Sequence, residues 1–110
     1  MSEGIPLPTL PRPETEEKVR RQPPYHVILH NDDDHTFEYV IGMMQQLFGH
    51  PRETGLQIAS EVHNSGRAVV LTTTMEHAEL KRDQIHAFGP DPWSSRDCKG
   101  SMSASIEPAW

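Results

Sequence analysis

The chain has 110 residues, of which 35% are hydrophobic and 24% charged, and a net charge of −6 at pH 7. That length holds one domain at most. The acidic balance argues against a nucleic-acid surface, which needs clustered Lys and Arg, and a single cysteine, Cys98, excludes an internal disulfide or a Cys-rich metal framework.

No apolar run approaches the roughly 20 residues of a membrane span. The N-terminus is Pro- and Glu-rich and shows no basic region followed by an apolar one, so no secretory signal is read and a cytoplasmic protein is expected. Pro6, Pro8, Pro11, Pro13, Pro23 and Pro24 crowd the start of the chain, with Glu14, Glu16 and Glu17 set against Lys18, Arg20 and Arg21. Such a stretch cannot bury enough apolar surface to offset its ordering entropy. Residues 1–23 are therefore expected to be a flexible extension, and residues 24–108 the folding unit.

Residues 25–30 (YHVILH) have strand composition and are bounded by Pro23-Pro24. Asn31, Asp32, Asp33 and Asp34 form a dense cluster of turn residues. Phe37, Val40, Ile41, Met44, Leu47 and Phe48 then recur at helical spacing and predict one apolar face. Asp34 or His35 is expected at its N-cap, and Gly49 at its end. A second helix is expected from Pro51, as its first residue, to about Asn64, with Gly55, Ile58, Ala59 and Val62 inward, His63 in the last turn and Gly66 as the stop. Residues 68–73 (AVVLTT) read as a strand. Thr73 and Glu76 have capping-box spacing, so a third helix is expected near Thr74, with Ala78, Ile85 and Phe88 inward. Gly89-Pro90 ends it. After a loop, residues 101–107 alternate with Met102, Ala104 and Ile106 on one side, a half-buried strand. The order β-α-α-β-α-β predicts a two-layer α/β fold, a three-stranded sheet packed on helices.

Three clusters carry polar chemistry. Residues 31–35 suit a turn and a helix cap. They also suit a cation site, because carboxylates and an Asn carbonyl at a strand end can accept bonds from an ammonium group. They lack the spacing of a calcium loop. His63 suits either an exposed helix end or a neutral imidazole acceptor. Residues 72–82 suit a solvated helix face or a docking surface. His77 and His86 are not at the spacing of a two-His metal site, and no P-loop, GxGxxG or nucleophile elbow is present, so no enzyme activity is expected. A small metal-dependent hydrolase using Asp32, Asp33 and His63 is the weakest of the readings.

Taken together, the strand at 25–30 followed by Asn31-Asp32-Asp33, then Phe37-Glu38-Tyr39-Val40, Val62-His63-Asn64-Ser65-Gly66 and residues 76–81 (EHAELK) fall in the order and spacing of the ClpS family. The chain resembles these adaptors of the Clp AAA+ protease over about residues 24–108. The resemblance implies binding of N-degrons, proteins whose first residue is bulky and apolar (Leu, Phe, Tyr or Trp), and delivery to the N-domain of a ClpA- or ClpC-type unfoldase. It places Asn31, Asp32 and His63 at the ligand's α-amino group and backbone groups around Asp33 and His35 in the pocket loop. It also makes Phe37, Val40, Ala59, Val62 and Met102 the apolar walls, and Glu76, Glu79 and Lys81 the unfoldase contacts. It implies a monomer without a cofactor, whose residues 1–23 engage the unfoldase. The chain departs from the family at His35, where Thr is usual, and at Thr36, where Pro is usual. Phe37 stands in place of a gating Met, and Ala59 in place of a larger apolar residue. Those last two changes imply extra room on the Ala59 side for a large aromatic ring. The alternative function is regulation of a Clp unfoldase without any N-degron being held.

Overall fold

The computed structural model describes residues 22–32, 34–94 and 100–110. Of the expected extension at 1–23, all but Gln22 and Pro23 lies outside the described residues. The elements run β1 (Tyr25–His30), α1 (Phe37–Phe48), α2 (Arg52–Ser65), β2 (Arg67–Thr73), α3 (Met75–His86) and β3 (Ser103–Pro108). This is the expected order. The strands form one antiparallel sheet with β1 in the centre, ordered β2-β1-β3. Val27 and Leu29 of the central strand share one pleat and meet the helices in a core with Tyr39, Val40, Met43, Met44, Ile58, Val62, Ala78 and Ile85.

Several local features differ from the sequence-based expectation. The N-cap of α1 is Thr36, not Asp34 or His35; its hydroxyl accepts the Tyr39 N–H at 3.2 Å. Asp34 and His35 are drawn instead into a loop around Asp32, whose Oδ1 accepts the Asp34 N–H at 3.0 Å. Pro51 is the cap residue of α2 rather than its first helical residue, and it makes no side-chain cap bond. Thr74, not Thr73, caps α3 and accepts the His77 N–H at 3.2 Å. The third strand begins at Ser103, because Ser101 turns its hydroxyl to the Gly89 N–H at 2.6 Å. In β2, Val27 pairs with Leu71 but Ile28 pairs with Val69, so Val70 is an extra residue in a bulge. Val70 and Leu71 consequently both pack on the core while Val69 is exposed.

Helices α1 and α2 both end on glycines in the left-handed region, Gly49 at φ 71° and Gly66 at φ 89°, as the sequence signals suggest. The end of α1 has a second tie. Lys81 Nζ, from α3, donates to the Leu47 carbonyl at 2.5 Å and lies 5.4 Å from the centre of the Phe48 ring. A carbonyl in the last turn has no helical partner, so a lysine there satisfies it and suits the dipole. Lys81→Met, which keeps the stem and removes the ammonium group, is expected to lower stability by about 1–2 kcal/mol, seen as a lower midpoint in urea unfolding.

Candidate functional site

The end of the central strand and the end of α2 are bonded to each other. The Asn31 backbone N–H donates to the Gly66 carbonyl at 3.0 Å, and the Gly66 N–H donates to the Val62 carbonyl at 2.9 Å. This brings the first residue after β1 beside the last turn of α2, where His63 sits. Between them, and against the start of α1, lies a cavity of about 210 Å³. Asn31, His35, Thr36, Phe37, Val40, Ala59, Val62, His63 and Met102 line it.

The lining is divided by depth. Val40, Ala59, Val62 and Met102 are buried and form an apolar floor. Asn31, Phe37 and His63 are exposed and form a rim. Phe37 is 39% exposed, and its ring meets the His63 imidazole edge-on, with centroids 5.7 Å apart at 71°. Phe37 therefore covers part of the mouth rather than the floor. Ala59 reaches the floor because it lies one helical turn before His63 on α2 and one turn after Gly55. At Gly55 the absence of a side chain lets α1 approach; a Cβ there would stand 3.2 Å from the Ile41 Cα.

His35 forms a wall between rim and floor, its side chain 3% exposed. Its ring lies 4.5 Å from the Tyr39 ring. Nδ1 is 2.9 Å from Asp32 Oδ1 and 2.7 Å from Asp32 Oδ2, and Nε2 is 2.9 Å from the Gly100 carbonyl. Asp32 is thus engaged within its own loop and is not among the residues that line the cavity. Asp33 lies outside the described residues. Glu76, Glu79 and Lys81 sit on α3, apart from the cavity, with Glu76 exposed and the other two half-buried. Two residues unforeseen from the sequence belong to the site's architecture. Thr36 lines the cavity, and its N–H donates to the buried Asp91 at 2.6 Å. A Thr just ahead of an apolar helical face is a readable cap signal; Asp91, in the turn after α3, carries none.

Chemically the cavity can hold a group that is apolar at one end and a hydrogen-bond donor at the other. The floor takes the apolar end, and the Asn31 side-chain carbonyl and the His63 imidazole at the rim can accept from the polar end. No group of three or more His, Cys, Asp or Glu among the described residues is placed to hold a metal ion. No helix among them is long and apolar enough to cross a membrane.

Comparison with known proteins decides the family. Residues 20–91 match the family model described as the ATP-dependent Clp protease adaptor protein ClpS. The chain belongs to the ClpS family. An adapter protein ClpS of Synechococcus elongatus is 34% identical over 101 residues, covering 91% of this chain and 94% of the relative. A ClpS of Vibrio cholerae is 38% identical over 74 residues, covering 66% of this chain and 70% of the relative. Among solved structures, Agrobacterium tumefaciens ClpS2 bound to L-phenylalaninamide superposes with a TM-score of 0.68 at 26% identity, covering 80% of this chain and 99% of that one. The ClpS match stops at residue 91, so Met102 and the third strand stand in the cavity and the sheet without support from it.

Proposed function

We propose that this ClpS-family adaptor binds N-degron substrates in the cavity between β1, α1 and α2 and hands them to the N-domain of a ClpA- or ClpC-type unfoldase. The observation that carries the reading is the division of the cavity into an apolar floor and a hydrogen-bond-accepting rim. An unblocked N-terminal residue with a large side chain has the complementary shape. Its α-amino group, with a pKa near about 8, is largely a cation at neutral pH and offers three donors. Asn31 and His63 accept from it. Asp32 adds negative charge from behind, shared with His35. The side chain fills the space against Val40, Ala59, Val62 and Met102. The ligand of the Agrobacterium relative, L-phenylalaninamide, has both halves, an amine and an apolar ring, which supports the reading.

In the same reading, residues 24–108 are the adaptor domain, acting as a monomer in the cytoplasm, and residues 1–23 reach toward the unfoldase. Glu76 and Glu79 on α3 offer it an acidic edge. Lys81 contributes less there, since its ammonium group is turned to the Leu47 carbonyl. The protein performs no reaction of its own; its output is the choice of what the protease degrades.

Peptides that differ only at their first residue test this directly. A Phe-first peptide is expected to bind, by fluorescence anisotropy, and its N-acetylated twin and an Ala-first twin are expected not to. Acetylation removes the positive charge and leaves one donor; alanine forfeits a burial contribution of roughly 1.5–3 kcal/mol. Equal binding of all three peptides would discard the pocket as an N-degron receptor. Co-elution with an unfoldase N-domain under that outcome would favour the regulator that holds no N-degron.

A further inference from the structure

The turn after α3 contributes no side chain to the cavity lining, yet it holds the start of α1 at three points, two on its backbone and one on the Tyr39 hydroxyl. Asp91 Oδ2 accepts the Thr36 N–H at 2.6 Å, while Oδ1 accepts the Trp93 N–H at 2.8 Å. The Ser94 hydroxyl donates to the Asp34 carbonyl at 2.8 Å. The Gly89 carbonyl accepts the Tyr39 hydroxyl at 2.5 Å. Residues 34–39, the corner from which α1 starts, are therefore fastened from outside by residues 89–94.

Asp91 is the least expected of these ties. It is 5% exposed, and none of the ion pairs among the described residues includes it. Removing a carboxylate from water is unfavourable unless hydrogen bonds and charge compensate. Here two backbone N–H groups and the positive end of α1 do so. A short carboxylate bond of this kind fixes the Thr36 backbone more firmly than the threonine's own cap bond to Tyr39, at 3.2 Å, could alone. Thr36 lines the cavity, and Phe37 and Val40 follow it on the first turn of α1. Gly55 against Ile41 holds α1 close to α2 further along, and the tie at Thr36 holds the end of α1 that carries the Phe37–Val40 wall.

We propose that Asp91 is a positioning residue for recognition of the ligand's first side chain: it fixes the start of α1 and with it the width of the cavity. The inference rests on the cavity being the N-degron receptor. Neither Asp91 nor Ser94 lines the cavity, so an effect of either on binding has to travel through the backbone it holds.

The full-length chain with Asp91→Asn is the test, because the amide keeps the shape but turns one acceptor into a donor that faces an N–H. Binding of Phe-first and Leu-first peptides is measured by anisotropy well below the thermal midpoint, which is recorded in parallel by circular dichroism. The variant is expected to bind the Phe-first peptide about tenfold more weakly and to change the ratio of the two affinities. Ser94→Ala is expected to move both quantities the same way by about threefold. A residue that served stability alone would lower the thermal midpoint and leave both affinities as in the parent protein, and that result overturns the proposal. If Asp91→Asn does not fold, Ser94→Ala decides alone, and unchanged affinities overturn it. A parent protein that binds neither peptide overturns the N-degron reading and this one with it, whereas a binding parent matched by both variants overturns only the positioning role.

Discussion

Replacing Asn31 or His63 by alanine is expected to weaken capture of a Phe-first peptide by about 10- to 150-fold each, the loss of a hydrogen bond to a charged group of roughly 1.5–3 kcal/mol. Both side chains are exposed at the rim, so neither replacement empties the core. The bond that joins β1 to the end of α2 uses the backbone of Asn31, and it survives the loss of the side chain. The thermal midpoint should therefore stay near that of the parent protein. His63 makes a second, sharper claim, because its role is to accept. His63→Gln, whose side-chain oxygen can also accept a hydrogen bond, is expected to retain more affinity than His63→Ala, whereas His63→Lys, which has only donors and a positive charge, is expected to bind no better than His63→Ala. Equal affinities for the Gln and Lys replacements would remove His63 from the acceptor role.

The elements were readable because their periodicities are. The spacing of Val40, Ile41 and Met44 announces α1, and that of Gly55, Ile58, Ala59 and Val62 announces α2, and all are buried. The same pattern misjudges α1 in two ways. Tyr39 and Met43 fall outside the predicted stripe and are buried too, because α1 is enclosed by α2 on one side and by α3 and the turn that follows it on the other. Phe37 falls inside the stripe and is exposed, because the stripe opens onto a cavity at that end. A single helical period cannot report how many neighbours a helix acquires. The start of α1 shows the same limit. Asp34, His35 and Thr36 are all competent caps or turn residues, and the choice among them is made by contacts with Asp32, Asp91 and Gly100, two of them more than fifty residues away. The residues proposed to accept from the ligand's amine were legible for another reason. His63 in isolation is an unremarkable helix-end histidine; the family pattern, not its own surroundings in sequence, joins it to Asn31, and the fold then places both on one cavity. Asp91 belongs to no pattern of this kind, and its role is visible only once the loop is closed.

Filling the floor of the cavity is expected to reverse the order in which first residues are preferred. Ala59 is 2% exposed and faces the cavity; Ala59→Leu would project an isobutyl group into space that a ligand ring needs. A cavity of roughly 150 Å³ lined by apolar side chains accepts benzene, so the volume of about 210 Å³ here suffices for an aromatic ring. The parent protein is accordingly expected to bind Phe-, Tyr- and Trp-first peptides at least as well as Leu-first ones. With Ala59→Leu the aromatic peptides should lose about tenfold or more, since their rings no longer bury fully, while the Leu-first peptide loses less. The added side chain enters existing space, so any overpacking should stay within about 1–3 kcal/mol, which a urea titration of the free protein would record. Phe37→Met, which thins the rim and leaves the floor untouched, separates the two contributions. It is expected to weaken the edge contact with His63 and to lower affinity for every peptide by a similar factor, without reordering them. If Ala59→Leu lowers all affinities equally and Phe37→Met reorders them, selectivity is set at the mouth, and the extra room on the Ala59 side has no part in it.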